Sequence, residues 1–315
     1  MQKKLCVGIT MGDPSGIGPE VSFEAIKRLS HKARFVVIGD AWVWQQFTGR
    51  FRLENVEFID LKVINKKNFS FGKVSAEYGK ASVLYLDKAM ELLSCQKIDC
   101  LVTAPISKEA INKAGYCYSG HTEYFAQKTN KKPIMLLLNE KIRFSLVTRH
   151  IPLSEVSKVL SFELIQYTII KTYQALIKMF AINNPRVVVC GINPHGSDNG
   201  LIGTEENRII HPVVCKLRKK FPGLKGPLGA DIAISEALHK NFDAVIAMYH
   251  DQALIPLKVL GAQKGVNLTL GLDFVRTSPL HGTAFDIAGK NKANPSSMIS
   301  AILCAITCCQ NLKRA

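Results

Sequence analysis

The stretch VIAMYHDQALIPLK, from Val245 to Lys258, decides the fold class because it changes from a buried strand to an amphipathic helix within a few residues. His250 and Asp251 lie at this change, just past the carboxyl end of the strand. In α/β proteins, ligands bind at the carboxyl ends of strands. His250 is therefore a candidate ligand or general base, and the alternative is a residue without a chemical role.

Outward from this stretch, strand-like and helix-like runs alternate along the whole chain. Runs such as KLCVGIT, RFVVIG, DCLVTAP and RVVVCGIN are typical of strands. The runs EYGKASVLYLDKAMELLSCQ, EENRIIHPVVCKLRKKF and SSMISAILCAITCC are each predicted to form one helix. This alternation predicts an α/β fold with a largely parallel sheet. The 315 residues are enough for two lobes, each with its own core.

The composition is that of a globular protein, with 47% hydrophobic and 21% charged residues. No run reaches the roughly 18 apolar residues that a membrane helix needs. The first apolar run breaks at Gly12, Asp13 and Pro14, which is too early for a secretory signal. The nine cysteines include no C-x-x-C pair, which indicates free thiols in a reducing compartment. We expect a cytoplasmic protein with no membrane segment.

The formal net charge of +16 favours anionic partners. Nucleic acid and a phosphorylated metabolite are the two candidate classes. The lysines are spread along the chain, and aromatic residues do not interleave with them as they do on a single-strand binding platform. We therefore expect no nucleic acid as the partner. A phosphorylated metabolite stays open, and much of the charge is expected to be ordinary surface lysine.

Three histidines, His150, His195 and His250, each follow the carboxyl end of an apolar strand. Open sheets gather such ends at one crevice, and three imidazoles with an open position form a catalytic divalent-metal arrangement. Their wide spacing is not a motif in itself, so polar caps and metal ligands both stay open as roles. We expect the side chains of His31, His211 and His239 at the surface.

Several polar stretches are candidate anion sites. GDPSGIGPE, from Gly12 to Glu20, lacks both the P-loop and the Rossmann pattern and is expected to form a strand-to-helix turn. In GHTEYFA, Thr122 can cap a helix, or His121 and Thr122 can donate to a phosphate. Three residues suited to a phosphate or carboxylate recur at nine-residue intervals, namely Lys258, Asn267 and Arg276.

Eight segments of the chain form a family pattern when they are taken in order: GDPSGIGPE, TAPISKEAINKAG, GHTEYFA, CGINPHGSDNGLIGTEE, GPLGAD, AMYHDQ, GVNLTLGL and RTSPLHGTAFDIAG. They resemble the 4-hydroxythreonine-4-phosphate dehydrogenase family, NAD-dependent enzymes of pyridoxal phosphate biosynthesis. The resemblance implies a two-lobed α/β/α architecture like that of isocitrate and isopropylmalate dehydrogenases. It places the active-site cleft between the lobes and at the interface of a homodimer.

The resemblance also implies the lobes and the metal site. Residues 1–116 with 265–315 are expected to form the cofactor-side lobe, and residues 117–264 the metal-binding and dimerisation lobe. The metal ligands are expected at His150, His195 and His250, with one of the three supplied by the neighbouring subunit. Imidazole nitrogens are borderline ligands and favour zinc or cobalt over magnesium, and zinc is the first expectation.

Substrate and cofactor residues follow from the same resemblance. Substrate contacts are expected at His121, Thr122, Lys258, Asn267 and Arg276. The segment HGTAFDIAGKNKANP is similar to the adenine-side loop that binds NAD or NADP, and its expected contacts are His281, Gly282, Thr283, Asp286 and Asn294. Asp231 or Asp251 is a candidate to orient a histidine ligand.

The implied reaction is the oxidation of 4-phosphooxy-L-threonine to 2-amino-3-oxo-4-phosphooxybutanoate, which decarboxylates to 3-amino-2-oxopropyl phosphate. The nearest alternative is a dehydrogenase of the same family that acts on another phosphorylated hydroxy acid, such as a sugar-acid phosphate. A phosphate acyltransferase is a second alternative. That class needs no metal, so three histidines at strand ends count against it.

Overall fold

The computed structural model describes residues 4–49, 53–118 and 120–314. The strands in this part of the chain are β1 (Cys6–Thr10), β2 (Arg34–Gly39), β3 (Val56–Asp60), β4 (Cys100–Thr103), β5 (Ile134–Leu138), β6 (Arg143–Leu146), β7 (Val187–Cys190), β8 (Leu224–Leu228), β9 (Ala244–Ala247), β10 (Val266–Leu270) and β11 (Val275–Pro279). The α-helices are α1 (Gly18–Leu29), α2 (Ala41–Thr48), α3 (Ala76–Ser94), α4 (Lys108–Lys113), α5 (His121–Thr129), α6 (Leu153–Val159), α7 (Phe162–Lys178), α8 (His211–Arg218), α9 (Ala230–Leu238), α10 (His250–Val259) and α11 (Ser296–Arg314).

The chain divides into two compact units. Unit 1 contains the chain up to Pro133 together with Val266–Gln310, and unit 2 contains Ile134–Gly265 and the residues from Asn311 onward. In unit 1 the strand order is β3-β2-β1-β4-β11-β10, and every neighbouring pair is parallel except β10 and β11. All residues of β1 and β4 are buried, as expected for the centre of a covered parallel sheet.

Unit 2 has the strand order β5-β6-β9-β7-β8, with β5 and β6 antiparallel and the other pairs parallel. Strand β8 lies at the edge of this order and pairs with β7. The core of the unit forms where the valines of β7 and the residues of β9 pack against the apolar face of α7, for example Ile165, Ile169 and Leu176. The predicted α/β fold with a largely parallel sheet is confirmed.

Two local features differ from the sequence predictions. The run EENRIIHPVVCKLRKKF was expected to be one helix, but a π-helical turn over Glu206–Ile210 precedes α8. Pro212 lies at the start of α8, where it has no N–H to continue the α-helical ladder from the preceding turn. Strand β8 and helices α2, α6 and α9 carry weak periodicity and were not predicted.

The boundary of unit 1 also differs from the predicted lobe boundary. Residues 117–133 were assigned to the lobe of residues 117–264, but they belong to unit 1. The reason is the packing of α5: Phe125 contacts Phe274 with a ring-centroid distance of 5.9 Å, and the Arg276 guanidinium lies 5.4 Å from the Phe125 ring centroid.

Two expectations about the chain as a whole can be compared with the structure. No helix in the described residues is both long and apolar enough to cross a membrane. All nine cysteines carry free thiols, as predicted, and four of them are exposed or half-buried, namely Cys95, Cys117, Cys215 and Cys304.

A close helix–helix contact in unit 1 gives a test of the fold. A Cβ atom at Gly79 of α3 would collide with the backbone carbonyl of Ala110 in α4. We expect Gly79→Ala to lower the free energy of unfolding by about 1–3 kcal/mol because α4 must shift, although alanine favours a helix by about 1 kcal/mol over glycine. Thermal and urea unfolding measure the change. Lys80→Ala, at the exposed next position, is the control, and equal stability of the two variants would contradict the packing argument.

Candidate functional site

The three strand-end histidines all belong to unit 2. His150 follows β6, His195 follows β7, and His250 is the first residue of α10, after β9. The strands β6, β9 and β7 are adjacent and parallel, so their carboxyl ends all lie at the same end of the sheet. The topology therefore explains why residues far apart in sequence reach one edge of this unit.

Two of these histidines lie close together. The ring centroids of His150 and His250 are 5.4 Å apart. The Nδ1 atom of His250 is 2.7 Å from Oδ1 of Asp251, so a proton on Nδ1 is donated to the carboxylate. This hydrogen bond leaves Nε2 of His250 as the nitrogen with a free lone pair, which is the state that a metal ligand requires.

His195 lies on an exposed turn of residues with positive φ, and the structure does not bring it into a three-residue group with the other two. Within residues 4–49, 53–118 and 120–314, no group of three His, Cys, Asp or Glu side chains could hold a metal ion. One chain therefore presents a histidine pair and a separate third histidine.

The two candidate orienting aspartates differ in their contacts. Asp251 accepts the hydrogen bond from His250. Asp231 lies in the first turn of α9 near Gly229, and it makes no hydrogen bond to a histidine among the described residues. The geometry thus supports Asp251 as the orienting residue and gives Asp231 no such contact.

A buried hydrogen-bond chain joins the three strand ends that precede the histidines. Thr148 donates to the Met248 carbonyl from both its N–H, at 3.1 Å, and its hydroxyl, at 2.7 Å. The Met248 N–H donates to Oε1 of Gln252 at 2.7 Å, and Nε2 of Gln252 donates to the Gly191 carbonyl at 2.8 Å. The backbones before His150, His195 and His250 are therefore held in one network.

Arg276 is a fully buried charged residue of unit 1 and lies on β11. Its Nη1 donates to the Thr269 hydroxyl at 2.9 Å, and its Nη2 donates to the Thr103 hydroxyl at 2.5 Å. Its Nε has no partner in the described residues. Burial lowers the pKa of Arg276 to about 9, with nearby Glu123 acting in the opposite direction. A guanidinium fixed by two neutral hydroxyls keeps hydrogen-bonding capacity for an anion.

Three other predicted substrate residues of unit 1 are His121, Thr122 and Asn267. His121 begins α5, and its Nε2 is buried without a partner among the described residues. Burial, followed by the charge of Arg276, holds the pKa of His121 well below its usual value. Asn267 lies on the same face of β10 as Thr269, and its Oδ1 also has no partner there. Thr122 is buried and is the second residue of α5, so the N-cap position that sequence analysis offered it is taken by Gly120.

Lys258, the remaining predicted substrate residue, lies in unit 2 in the last turn of α10. Its side chain is exposed. It follows His250 by two helical turns, a rise of roughly 12 Å along the helix axis.

The predicted cofactor residues lie on the turn-rich segment between β11 and α11. His281 has its Nδ1 3.1 Å from the Gly282 carbonyl and a buried Nε2 without a described partner, and burial lowers its pKa. The Thr283 carbonyl accepts the Ile17 N–H at 2.9 Å, which ties this segment to the GDPSGIGPE turn. Asn294 Oδ1 accepts the Ser296 N–H at 2.9 Å, so its side chain caps the start of α11.

Gly282 and Asp286 complete this predicted set, and both residues are exposed. The backbone carbonyl of Asp286 accepts Nζ of Lys290 at 2.7 Å, so the Asp286 carboxylate takes no part in that bond. The exposed glycine and carboxylate leave this part of the segment accessible to a ligand.

Four residues were missed by sequence analysis although they determine the local geometry. They are Thr103, Gln252, Thr269 and Glu206, and all four side chains are buried. Thr269 could have been found because it lies two residues after Asn267 on a strand, where alternate residues share a face. No sequence signal pairs Thr103 with Arg276, since the two are separated by 173 positions.

Asp13, in the GDPSGIGPE turn, is a buried acid that sequence analysis also did not single out. Its Oδ1 accepts the Ser15 N–H at 3.0 Å, and its Oδ2 has no partner in the described residues. Burial raises the pKa of Asp13 to about 7, and the hydrogen bond from Ser15 opposes this shift. The carboxyl group is therefore held largely protonated below neutral pH.

Comparison with known proteins gives consistent matches over the whole chain. The family model described as "Pyridoxal phosphate biosynthetic protein PdxA" matches residues 20–305. A 4-hydroxythreonine-4-phosphate dehydrogenase of Sulfurihydrogenibium sp. is 41% identical, with 95% of this chain and 97% of the relative covered. A D-threonate 4-phosphate dehydrogenase of Cupriavidus necator is 42% identical, with coverages of 94% and 95%.

Solved structures agree with these matches. The crystal structure of a 4-hydroxythreonine-4-phosphate dehydrogenase from Burkholderia phymatum has a TM-score of 0.81 and 38% identity, and covers 97% of this chain and 98% of its own. An isocitrate dehydrogenase from Methylococcus capsulatus has a TM-score of 0.53 at 14% identity, with coverages of 98% and 88%. The second match shows a shared fold alone, and it confirms the predicted likeness to isocitrate dehydrogenases.

The buried acid gives a pH-dependent prediction. The folded-state pKa of Asp13, about 7, exceeds the ordinary value of 3.8, so folding favours the protonated form. Stability from this group is present at low pH and is lost as the pH rises towards 7. Asp13→Asn cannot ionise. Its stability relative to wild type should therefore rise by about 3 kcal/mol between about pH 4 and about pH 8.

Urea unfolding of both proteins across this pH range measures the difference. Glu54→Gln is the control, since Glu54 is exposed and makes no ion pair or side-chain hydrogen bond within the described residues. Parallel profiles for wild type and Asp13→Asn would show that Asp13 titrates normally.

Proposed function

Because the chain belongs to the family of the pyridoxal phosphate biosynthetic protein PdxA, we propose that it is an NAD(P)-dependent dehydrogenase of 4-phosphooxy-L-threonine. The substrate's secondary alcohol is oxidised to the ketone of 2-amino-3-oxo-4-phosphooxybutanoate, with hydride transfer to the nicotinamide and release of one proton. This β-keto acid then loses CO₂ to give 3-amino-2-oxopropyl phosphate. The observation that carries the proposal is the buried guanidinium of Arg276.

The surroundings of Arg276 support its role as an anchor for an anionic group of the substrate. Its cation is buried, and its two Nη atoms are held by hydroxyls rather than by a carboxylate. A buried guanidinium whose hydrogen-bond partners are neutral hydroxyls is costly, and a bound phosphate or carboxylate would offset that cost together with the nearby carboxylate of Glu123. Asn267 Oδ1 and His121 Nε2, both buried without described partners, are available to fix substrate orientation. Lys258 adds an exposed cation, and Thr122 adds a hydroxyl.

The histidines are proposed to hold one divalent metal ion. The close pair of His150 and His250, with Nδ1 of His250 bonded to Asp251, fits a borderline ion such as zinc or cobalt better than magnesium. When bound, such an ion supplies Lewis acidity that lowers the pKa of a coordinated hydroxyl. The chain's own residues orient the ligands: Asp251 fixes the His250 ring, and the Thr148, Met248 and Gln252 network fixes the backbones that carry the ligands.

We infer that His195 reaches this metal from a second copy of the chain in a homodimer. One chain presents only a pair of these rings as neighbours. Large apolar side chains are exposed in the segments that follow two of the histidines: Leu153, after His150, is 70% exposed, and Leu201, after His195, is 88% exposed. Exposed apolar side chains are often covered by a partner in an interface, so these two segments are the proposed dimer contact.

The cofactor is proposed to bind along the segment from His281 to Asn294. Exposed Gly282 and Asp286 are accessible there, and the buried Nε2 of His281 lacks a described partner. NAD and NADP are both compatible with these residues. The free cysteines fit a reducing compartment, which supports a cytoplasmic location.

A second candidate substrate is D-threonate 4-phosphate. The relative of that name in Cupriavidus necator is 42% identical to this chain, against 41% for the relative from Sulfurihydrogenibium. The two substrates share the phosphate and the carboxylate and differ at carbon 2, where one carries an amine and the other a hydroxyl.

The activity test compares the two substrates side by side. We expect NADH formation from 4-phosphooxy-L-threonine and NAD⁺, loss of the signal after chelation, and recovery when zinc or cobalt is added. Arg276→Met should reduce kcat/KM by about 100-fold, because a charged hydrogen-bonding group to the substrate is lost. The measurement is NADH absorbance under initial-rate conditions.

The control is Arg186→Met, an arginine of unit 2 that bonds to the Lys240 carbonyl and should leave kcat/KM unchanged. Faster turnover of D-threonate 4-phosphate would favour the second substrate. Activity that survives chelation would argue against the metal, and normal activity of Arg276→Met would argue against the anion anchor.

The shared site predicts complementation between two inactive variants. His195→Ala and His250→Ala chains, each inactive alone, form hybrid dimers in which one of the two sites keeps every histidine. Random mixing should restore about a quarter of wild-type activity, because half of the dimers are hybrids with one intact site each. Co-expression with two different tags isolates the hybrids. Purified hybrids without activity would show that His195 does not act across the interface.

A further inference from the structure

The turn that carries His195 has an unusual backbone. Six consecutive residues have positive φ, from His195 at 55° to Gly200 at 100°, and four of them are not glycine. The left-handed conformation costs roughly 1 kcal/mol or more per residue for L-amino acids, although asparagine and aspartate tolerate it better. Such a turn persists only where the surrounding structure holds it in place.

The backbone hydrogen bonds of the turn are local. The Gly196 N–H donates to the Asn193 carbonyl at 3.2 Å, the Leu201 N–H to the Asp198 carbonyl at 3.3 Å, and the Ile202 N–H to the Ser197 carbonyl at 3.0 Å. The Ser197 hydroxyl is buried and has no partner in the described residues. These bonds close the turn, but they do not fix its direction relative to the sheet.

Glu206 fixes that direction. Its side chain is buried, and Oε1 accepts the N–H groups of Ile192, at 2.7 Å, and of Asn193, at 2.8 Å. Its Oε2 accepts Nδ2 of Asn193 at 2.8 Å. One carboxylate therefore binds Ile192 and Asn193, which are two of the four residues between β7 and His195.

Gly191 makes this approach possible and connects it to the other histidines. A Cβ atom at Gly191 would lie 2.8 Å from Oε1 of Glu206, so any larger residue would displace the carboxylate. The Gly191 carbonyl accepts Nε2 of Gln252, which is also bonded to the backbone before His250. The same hydrogen-bond network therefore holds the residues before the His195 turn and the backbone before His250.

We propose that Glu206 is a positioning residue for His195 and sets the metal affinity of the site. This inference rests on the proposed function, in which His195 is a metal ligand. Glu206 acts through the backbone of Ile192 and Asn193 and does not touch the metal. Its neighbour Glu205 also accepts Nδ2 of Asn193, at 2.8 Å, but makes no bond to the backbone of those two residues.

The experiment titrates metal-free protein with Co²⁺ and follows the visible absorption of the bound ion. Glu206→Gln keeps an oxygen for the two N–H groups but places an amide donor against the Asn193 amide. We expect its apparent Co²⁺ affinity to fall about 10–100-fold, as for other residues that orient metal ligands. Asn193→Ala, which removes the bonds from Nδ2 to Glu205 and Glu206 but leaves both backbone N–H groups paired with Glu206, should weaken binding less. Glu163→Ala, an exposed acid of α7, is the matched control and should bind as wild type does.

Two further measurements separate positioning from general stability. The Tm of each metal-free variant reports the fold, and in a His195→Ala background Glu206→Gln should cause no further loss of affinity if it acts through His195. Wild-type affinity in Glu206→Gln, or an equal loss with and without His195, would overturn the inference. Absence of Co²⁺ binding by wild type would instead refute the proposed metal site.

Discussion

The buried amide of Gln252 is the interaction on which the geometry of unit 2 depends. It accepts the N–H of Met248 and donates to the carbonyl of Gly191, so it joins the ends of β9 and β7. Thr148 attaches the end of β6 to the same Met248. A parallel sheet alone aligns strand ends only approximately, because the turns that follow them are free to diverge. One side chain with both a donor and an acceptor removes that freedom.

Unit 1 depends on a different constraint, the burial of a positive charge. Arg276 donates hydrogen bonds to the Thr103 and Thr269 hydroxyls. Burial, together with the charge of Arg276, keeps His121 neutral. A neutral imidazole beside a guanidinium offers one donor and one acceptor without adding repulsion to the site. The positive charge is therefore concentrated on the guanidinium group of Arg276, which gives a small anion a defined orientation.

Sequence patterns predicted the alternation of strands and helices because burial on a strand and on a helix follows short periods. They also placed three histidines at strand ends, and the topology brings these ends to one edge of unit 2. The partners of Arg276 and the role of Gln252 were not predictable, since they join residues that no local pattern connects. The composition of the stretch GINPHGSDNGLIGTEE indicates only a polar loop around His195, because tolerance of positive φ by single glycine, asparagine or aspartate residues does not predict a run of them.

The edge strand β8 has a consequence for the behaviour of the protein at high concentration. An unpaired strand edge offers N–H and C=O groups on which another chain can add, which is how many β-rich proteins begin to aggregate. Strand β8 carries an exposed lysine, Lys225, and a proline, Pro227, within five residues. Proline has no N–H to offer, and a buried lysine would be costly to a growing sheet. Strand β8 therefore disfavours the addition of a strand from another chain to this side of the sheet.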